Sequence, residues 1–430
     1  MRSRSVGSLA VGAVFQAAVL AAAEAEGPRL TTQVDVHAPG TEVVVRLDVD
    51  DKTPLDAPFA VTAGTLRVDG NPDQEVLLLP GSGREPYEAL VGPLAAGRHL
   101  IELRPSELWP AERRLGWKRL SAHPITPGQP EYDRLRFAPR LWLRPDTVGE
   151  ATDVPLLSYL EEEDAGGGSR RLRYTVVFSN EDGGTPTRAL LARWGRATDI
   201  EIAYEVVLAA DGSVASERFQ GTDHDLRTFK GRRVGAHPVL LVATLNNVFL
   251  DRGRSGALVS TVPVAVGPDA GTRESIMDTR PWTYRVMAKE LESEGKVAPG
   301  RGQKPEQVVD DPRRYVYLEA RLRLRGAAVA ARVGLADGSA RSSNSGDARL
   351  AIARDGWVRT AVPLGPTAAP LASLAWECLP HEGEADEARC EIEATRAFRL
   401  DESYRPGPNL VQAAELRLRV GQSGSLRLAP

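Results

Sequence analysis

The sequence is poor in cysteine, with only Cys378 and Cys390 in 430 residues, and it has only six histidines. Two thiols with His381 as the one imidazole nearby do not complete the four ligands of a structural zinc site. Their separation suits a disulfide that closes a short loop, worth about 3 kcal/mol in a chain-entropy account. Catalytic signatures are also missing. There is no Gly-x-Ser-x-Gly elbow and no His-Glu-x-x-His pair, so nucleophilic and zinc-hydrolase chemistry have no motif to stand on. The net charge of −4 gives no electrostatic footprint for nucleic acid. Arginine outnumbers lysine, but Arg119, Arg134 and Arg136 are scattered among acids and form no basic stripe.

Long apolar runs are absent beyond the start of the chain. Residues 1–25 read as an export signal, with Arg2 and Arg4, an apolar stretch from Val6 to Leu20, and small residues at Ala21 to Ala25 for a peptidase. The stretch falls short of the ~20 residues a membrane span needs, and no second run could cross a bilayer. Secretion or a periplasmic location is the expectation, and export permits the disulfide.

What is present is β pattern. Short alternating runs broken by Gly, Pro, Asn and Asp predict a mainly β chain of tandem sandwich-like modules with few helices. The expected divisions are an immunoglobulin-like or fibronectin-like sandwich at 27–107 and a proline-rich connector at 108–130. A central β-sandwich at 131–300 and a C-terminal sandwich at 313–430 follow. The last has a shape shared by carbohydrate-binding modules, with Trp357 and Trp376 as either a sugar platform or core. Trp109 and Trp117, in the connector, are expected to pack between modules. Glu161 to Ser169 reads as a surface loop. A helix is predicted from Pro281 to Lys296, with Gly295 at its C-terminal cap.

Chemistry-bearing residues crowd between Tyr174 and Phe249. Asp199 and Glu201 stand two apart on a predicted strand, so they share a face, with Glu205 further along it. Ile200, Ile202 and Tyr204 are expected on the other face. The pair suits calcium or magnesium, which take oxygen ligands, or simply a solvated strand face. Asp223, His224 and Asp225 can position an imidazole on a loop, and His237 precedes another strand. Asn180, Glu181 and Asp182 form an acidic turn. Any two of these carboxylates facing a sugar would meet the minimum need of a glycosidase.

Gly195-Arg-Ala-Thr-Asp-Ile-Glu201 resembles the Gly-His-Arg-His-Asp-Trp-Glu heptapeptide of necrosis- and ethylene-inducing-like proteins. It is also similar to the Gly-Asp-Trp-Glu segment of the vacuolar protein sorting-associated protein 62-like family. In both a turn, a histidine loop and a His-Pro follow, matched here by Asp211-Gly212, His224 and His237-Pro238. The resemblance covers about a sixth of the chain. It implies a β-sandwich and, in the necrosis-inducing proteins, a divalent metal that helps bind a membrane glycolipid. Asp199 and Glu201 match acidic ligand positions. Arg196, Thr198 and Ile200 replace the two histidines and the tryptophan, and Arg196 would sit where a cation would.

Three functions are therefore in view. The first is recognition of an extracellular or envelope glycan or glycolipid, with Asp199 and Glu201 holding an ion and Asp223, His224, His237 and Arg196 lining the site. The second is a secreted polysaccharide hydrolase with Asp199 and Glu201 as candidate catalytic groups. The third is a structural envelope protein without a ligand.

Overall fold

A computed structural model of the chain describes residues 29–54, 56–109, 115–267, 271–366, 369–381 and 388–429. The expected export signal lies outside them. The described chain is mostly strand, with four α-helices, as the alternation predicts.

The first module is a sandwich. One sheet runs Leu30–Val36, Gly97–Pro105, Thr62–Val68, Asn71–Leu78, and the other Tyr87–Leu94, Thr41–Asp50, Gly116–Ile125. Val43, Val45, Leu47 and Val49 alternate inward from the middle strand, and meet Leu66, Leu78, Ile101 and Leu103 in one core. The strand Gly116–Ile125 corrects the expected connector. It pairs along Thr41–Asp50 as an edge strand, the place in a sheet where a proline such as Pro124 is tolerated. Trp117 consequently packs on the first core. Trp109 is buried in the central core, where its indole N–H donates to Glu150 O at 3.2 Å.

The central module is built on a six-stranded sheet ordered Leu226–Thr228, Val214–Gln220, Asp199–Leu208, Ser169–Phe178, Pro155–Gly166, Val264–Val266. A smaller sheet runs Arg233–Val234, His237–Val242, Arg140–Trp142, Leu258–Val259. The expected loop at Glu161 to Ser169 is mostly strand. Glu162 and Glu163 pair across the hairpin with Arg170 and Arg171 at 3.0 Å each, and Gly166, Gly167 and Gly168 turn the chain at positive φ. Charge pairing across the ladder holds extended a segment whose composition reads as loop. The predicted helix is present as Trp282–Ser293, with Gly295 in the left-handed conformation just beyond it.

The C-terminal module is a second sandwich. Its sheets run Gly356–Pro363, Tyr315–Arg325, Arg389–Phe398, Ala414–Arg419 and Ala340–Ser342, Ala327–Leu335, Leu371–Pro380, Ser423–Leu426. The disulfide Cys378–Cys390 joins one sheet to the other, with a Cα–Cα distance of 5.9 Å. Trp376 is fully buried in this core, which removes it as a sugar platform; Trp357 is exposed.

The modules are not beads on a string. The central core takes in Phe59, Val61 and Leu79 from the first module and Tyr315, Tyr317 and Phe398 from the last. Arg359, fully buried on a C-terminal strand, donates to Asp278 of the central module at 2.8 Å and to Glu319 at 2.6 Å.

Candidate functional site

A β-bulge decides what the strand Asp199–Leu208 presents. Tyr174 pairs with Tyr204, while Thr175 pairs with Ile202, leaving Ala203 as the extra residue. Before it, Asp199 and Glu201 share the face of Phe178 and Val176, as expected. After it the alternation reverses. Glu205 therefore leaves their face and meets Arg173 at 3.0 Å and Arg218 on the other. Tyr204 takes the acids' side instead, where its hydroxyl donates to Glu217 at 2.6 Å. The single-face row of three acids is thus corrected to a pair.

That pair sits on a buried polar cluster. Asp199 is 1% exposed. The Asn247 amide N–H donates to its Oδ2 at 3.2 Å, and also reaches Asn180 O at 3.2 Å and Asp153 Oδ1 at 3.5 Å. Asp153 is held by Arg144 at 2.9 Å, and Glu290 on the long helix accepts from the Asp153 backbone N–H at 3.0 Å. Asn180 donates to Glu294 at 2.7 Å, one helical turn on. The amide oxygens of Asn180 and Asn247 are buried without a donor.

Desolvation makes most of these carboxyls reluctant to ionise. Burial, with the charge of Asp182 beside it, pushes Asp153 up to about 8. Burial and Asp199 raise Glu181 to about 7, and burial and Asp182 raise Glu294 to about 7. Asp199 and Glu290 are held well above the carboxylate range by burial and by their acidic neighbours Glu201 and Glu294. Burial raises Glu201 too, against the pull of Arg273 and Arg196. Asp182 is the exception. Burial would raise it, but hydrogen bonds from Thr152 and Lys296 outweigh that and hold it low.

Glu201 and Gln220, both buried, link the cluster to the exposed His224. The Gln220 amide N–H donates to Glu201 Oε2, and the same amide nitrogen lies 2.9 Å from His224 Nδ1. Gln220 cannot turn over, because its oxygen accepts from the Ile202 N–H at 3.1 Å. Nδ1 of a neutral His224 is therefore the acceptor and Nε2 carries the proton. Nε2 is 2.7 Å from the Asn246 amide nitrogen, and turning that amide over puts its oxygen there to accept. Half of the His224 side chain is exposed, and its Nδ1 is 3.7 Å from Glu201.

Strain concentrates here. Asp153, His224 and Asn247 are three of the six non-glycine residues with positive φ among those described, at 49°, 60° and 48°. Such conformations persist where surrounding contacts over-determine them, and they gather at functional sites.

The other expected site residues lie elsewhere. His237 is fully buried between modules, with Nε2 2.9 Å from Glu42 and Nδ1 2.9 Å from Ala138 O, so it lines nothing. Asp223 is exposed and paired with Arg227. Arg196 is buried and donates to Glu274 at 3.1 Å; it comes only within 3.9 Å of Asp199. Gln220, Asn246, Asn247, Asp153 and the helix acids carry no motif by which the sequence alone would single them out. Among the described residues, no three His, Cys, Asp or Glu side chains form a group that could hold a metal ion. No described helix is long and apolar enough to cross a membrane.

Compared with known proteins, the chain matches no family model, and neither a curated protein nor a solved structure is significantly similar to it.

Proposed function

We propose that this is an exported recognition protein whose central module binds a glycan, or the sugar head of a glycolipid, of the cell envelope or extracellular matrix. The ligand meets the run Glu201, Gln220, His224 and Asn246. Carboxylate, amide and imidazole are the groups that exchange hydrogen bonds with hydroxyls. What carries the reading is the left-handed backbone of His224 and Asn247, which brings an imidazole and two amides to the surface end of a buried acidic cluster. Calcium or magnesium belongs to this reading as an aid to the ligand at Glu201, the carboxylate that lies just beneath His224.

Calorimetric titration against a panel of neutral oligosaccharides tests it. Glu201→Gln and His224→Ala should each weaken binding about tenfold, equivalent to about 1.4 kcal/mol, with the unfolding midpoint little changed. A panel with no binder, or variants that bind as well as the parent, would sink it. Binding unchanged by a chelator removes the ion from the reading. The hydrolase reading has one observation in its favour, the Glu181 carboxyl at about 7, suited to a general acid. Reducing-end release from the same panel, lost in Glu181→Gln and Glu201→Gln, would replace binding by catalysis.

A further inference from the structure

A second place on the molecule is built for a ligand of different charge. The helix Thr187–Trp194 of the central module ends against the C-terminal sandwich, where Thr360 Oγ1 donates to Ala192 O at 2.6 Å. Beside this seam lies an open depression of about 660 Å³, lined by Arg193, Trp194, Arg349, Ile352, Arg354 and His381 among others. Its size is that of a small-molecule site, roughly 300–1,000 Å³. The rest of the lining is alanine and proline, too small to grip an acyl chain.

Among the described residues the charges here are unbalanced. The guanidinium carbons of Arg354 and Arg193 lie 5.0 and 6.0 Å from the Trp194 ring centroid. Arg354 spends one N–H on Arg193 O at 2.6 Å, and Arg193 spends one on Arg349 O. No described carboxylate forms an ion pair with either. The fully buried arginines are matched: Arg140 has Asp73 at 2.8 Å, Arg144 has Asp153 at 2.9 Å, and Arg359 has Glu319 at 2.6 Å, while part-buried Arg84 lies over the Tyr87 and Trp282 rings instead. Asp347, a carboxylate next to the depression, is paired with Arg349 at 2.8 Å and feels the charge of Arg193 only at longer range. Glu274, behind Arg354, is occupied by Arg196 at 3.1 Å. Burial, with Arg196, Arg193 and Arg273 near, pulls Arg354 down to about 10 despite Glu274, the response of a cation short of an anion.

We propose that this depression binds an acidic saccharide, with its carboxylate or sulfate held in the forks of Arg193 and Arg354. A guanidinium offers parallel N–H donors that fit two oxygens of one oxyanion, and the Trp194 ring fixes the two forks in place. The site shares no residue with the Glu201 run, so either can stand without the other.

Titration with trigalacturonate, with a sulfated disaccharide and with a neutral trisaccharide decides it. Binding of one or both acidic probes is expected. It should weaken at least tenfold in Arg193→Gln and in Arg354→Lys, weaken between 50 and 300 mM salt as exposed charges are screened, and stay unchanged in Glu201→Gln. Which acidic probe binds tells carboxylate from sulfate. Arg354→Lys keeps the charge while losing the fork, and Arg193 is only partly buried, so a folding defect in one variant leaves the other to read. Equal binding of the neutral trisaccharide, full affinity in both arginine variants, or no binding of either acidic probe would overturn the proposal.

Discussion

Two histidines of the central module are both engaged, but by opposite kinds of group. His224 faces amides at the surface; His237 faces two oxygen acceptors in the interior. Their substitution should therefore separate cleanly. His237→Ala leaves Glu42 buried without its partner and should cost about 3 kcal/mol of stability in urea unfolding, with glycan affinity retained. His224→Ala should do the reverse. Asn247→Ala removes the amide that reaches Asp153, Asn180 and Asp199. It should destabilise by about 2–3 kcal/mol. The carboxyls give a pH dependence. Asp153 at about 8, and Glu181 and Glu294 at about 7, keep protons in the fold that the unfolded chain releases at ordinary carboxylate values. Their stabilisation is complete below about pH 4 and is lost as pH rises towards 8. Urea midpoints should fall across that window, and Asp153→Asn should flatten the fall. A midpoint rising from pH 5 to pH 8 would contradict the protonated cluster.

At the scale of elements, the strands with clean alternation were legible, because one buried face imposes a period of two. The hairpin at Asp211-Gly212 and the helix before Gly295 were legible for the same kind of reason, a turn residue where the backbone needs one. Three elements were not. Gly116–Ile125 is an edge strand carrying proline. Glu161 to Gly166 is held extended by arginines on the neighbouring strand, which local composition cannot show. Ala203 is an inserted residue whose effect depends on the partner's register. The site followed the same division. Asp199, Glu201 and His224 do come together, because two share a strand and the third is tied to them by Gln220. His237 does not, because the Glu42 it bonds belongs to another module, and no pattern within the central stretch points there. Cys378 and Cys390 were legible as a pair, but that their bond spans two sheets needed the fold. Replacing both by alanine should lower stability by about 3 kcal/mol, measured under non-reducing conditions against the parent.

The whole molecule behaves as one body in its packing. Its largest core draws side chains from all three modules, and Arg359 is fastened to acids of two of them. Arg359→Ala leaves Asp278 and Glu319 with the part-exposed Arg396 as their one remaining cation among the described residues and should cost about 3 kcal/mol. Calorimetry should show the central and C-terminal modules melting together in the parent. Two resolved transitions for these modules in the parent would contradict a shared core.

The unpaired alanine in the middle of the acidic strand has a consequence for how this surface can change. It acts as a phase shift: upstream carboxylates are turned to one side and the downstream one to the other by a single residue of slack. Point replacements leave that phase untouched, and loss of Ala203 would close the bulge with Glu205 three residues after Glu201, so plain alternation would keep it on the far face with its arginines. Register against Ser169–Phe178, more than side-chain identity, decides which of these acids share a face.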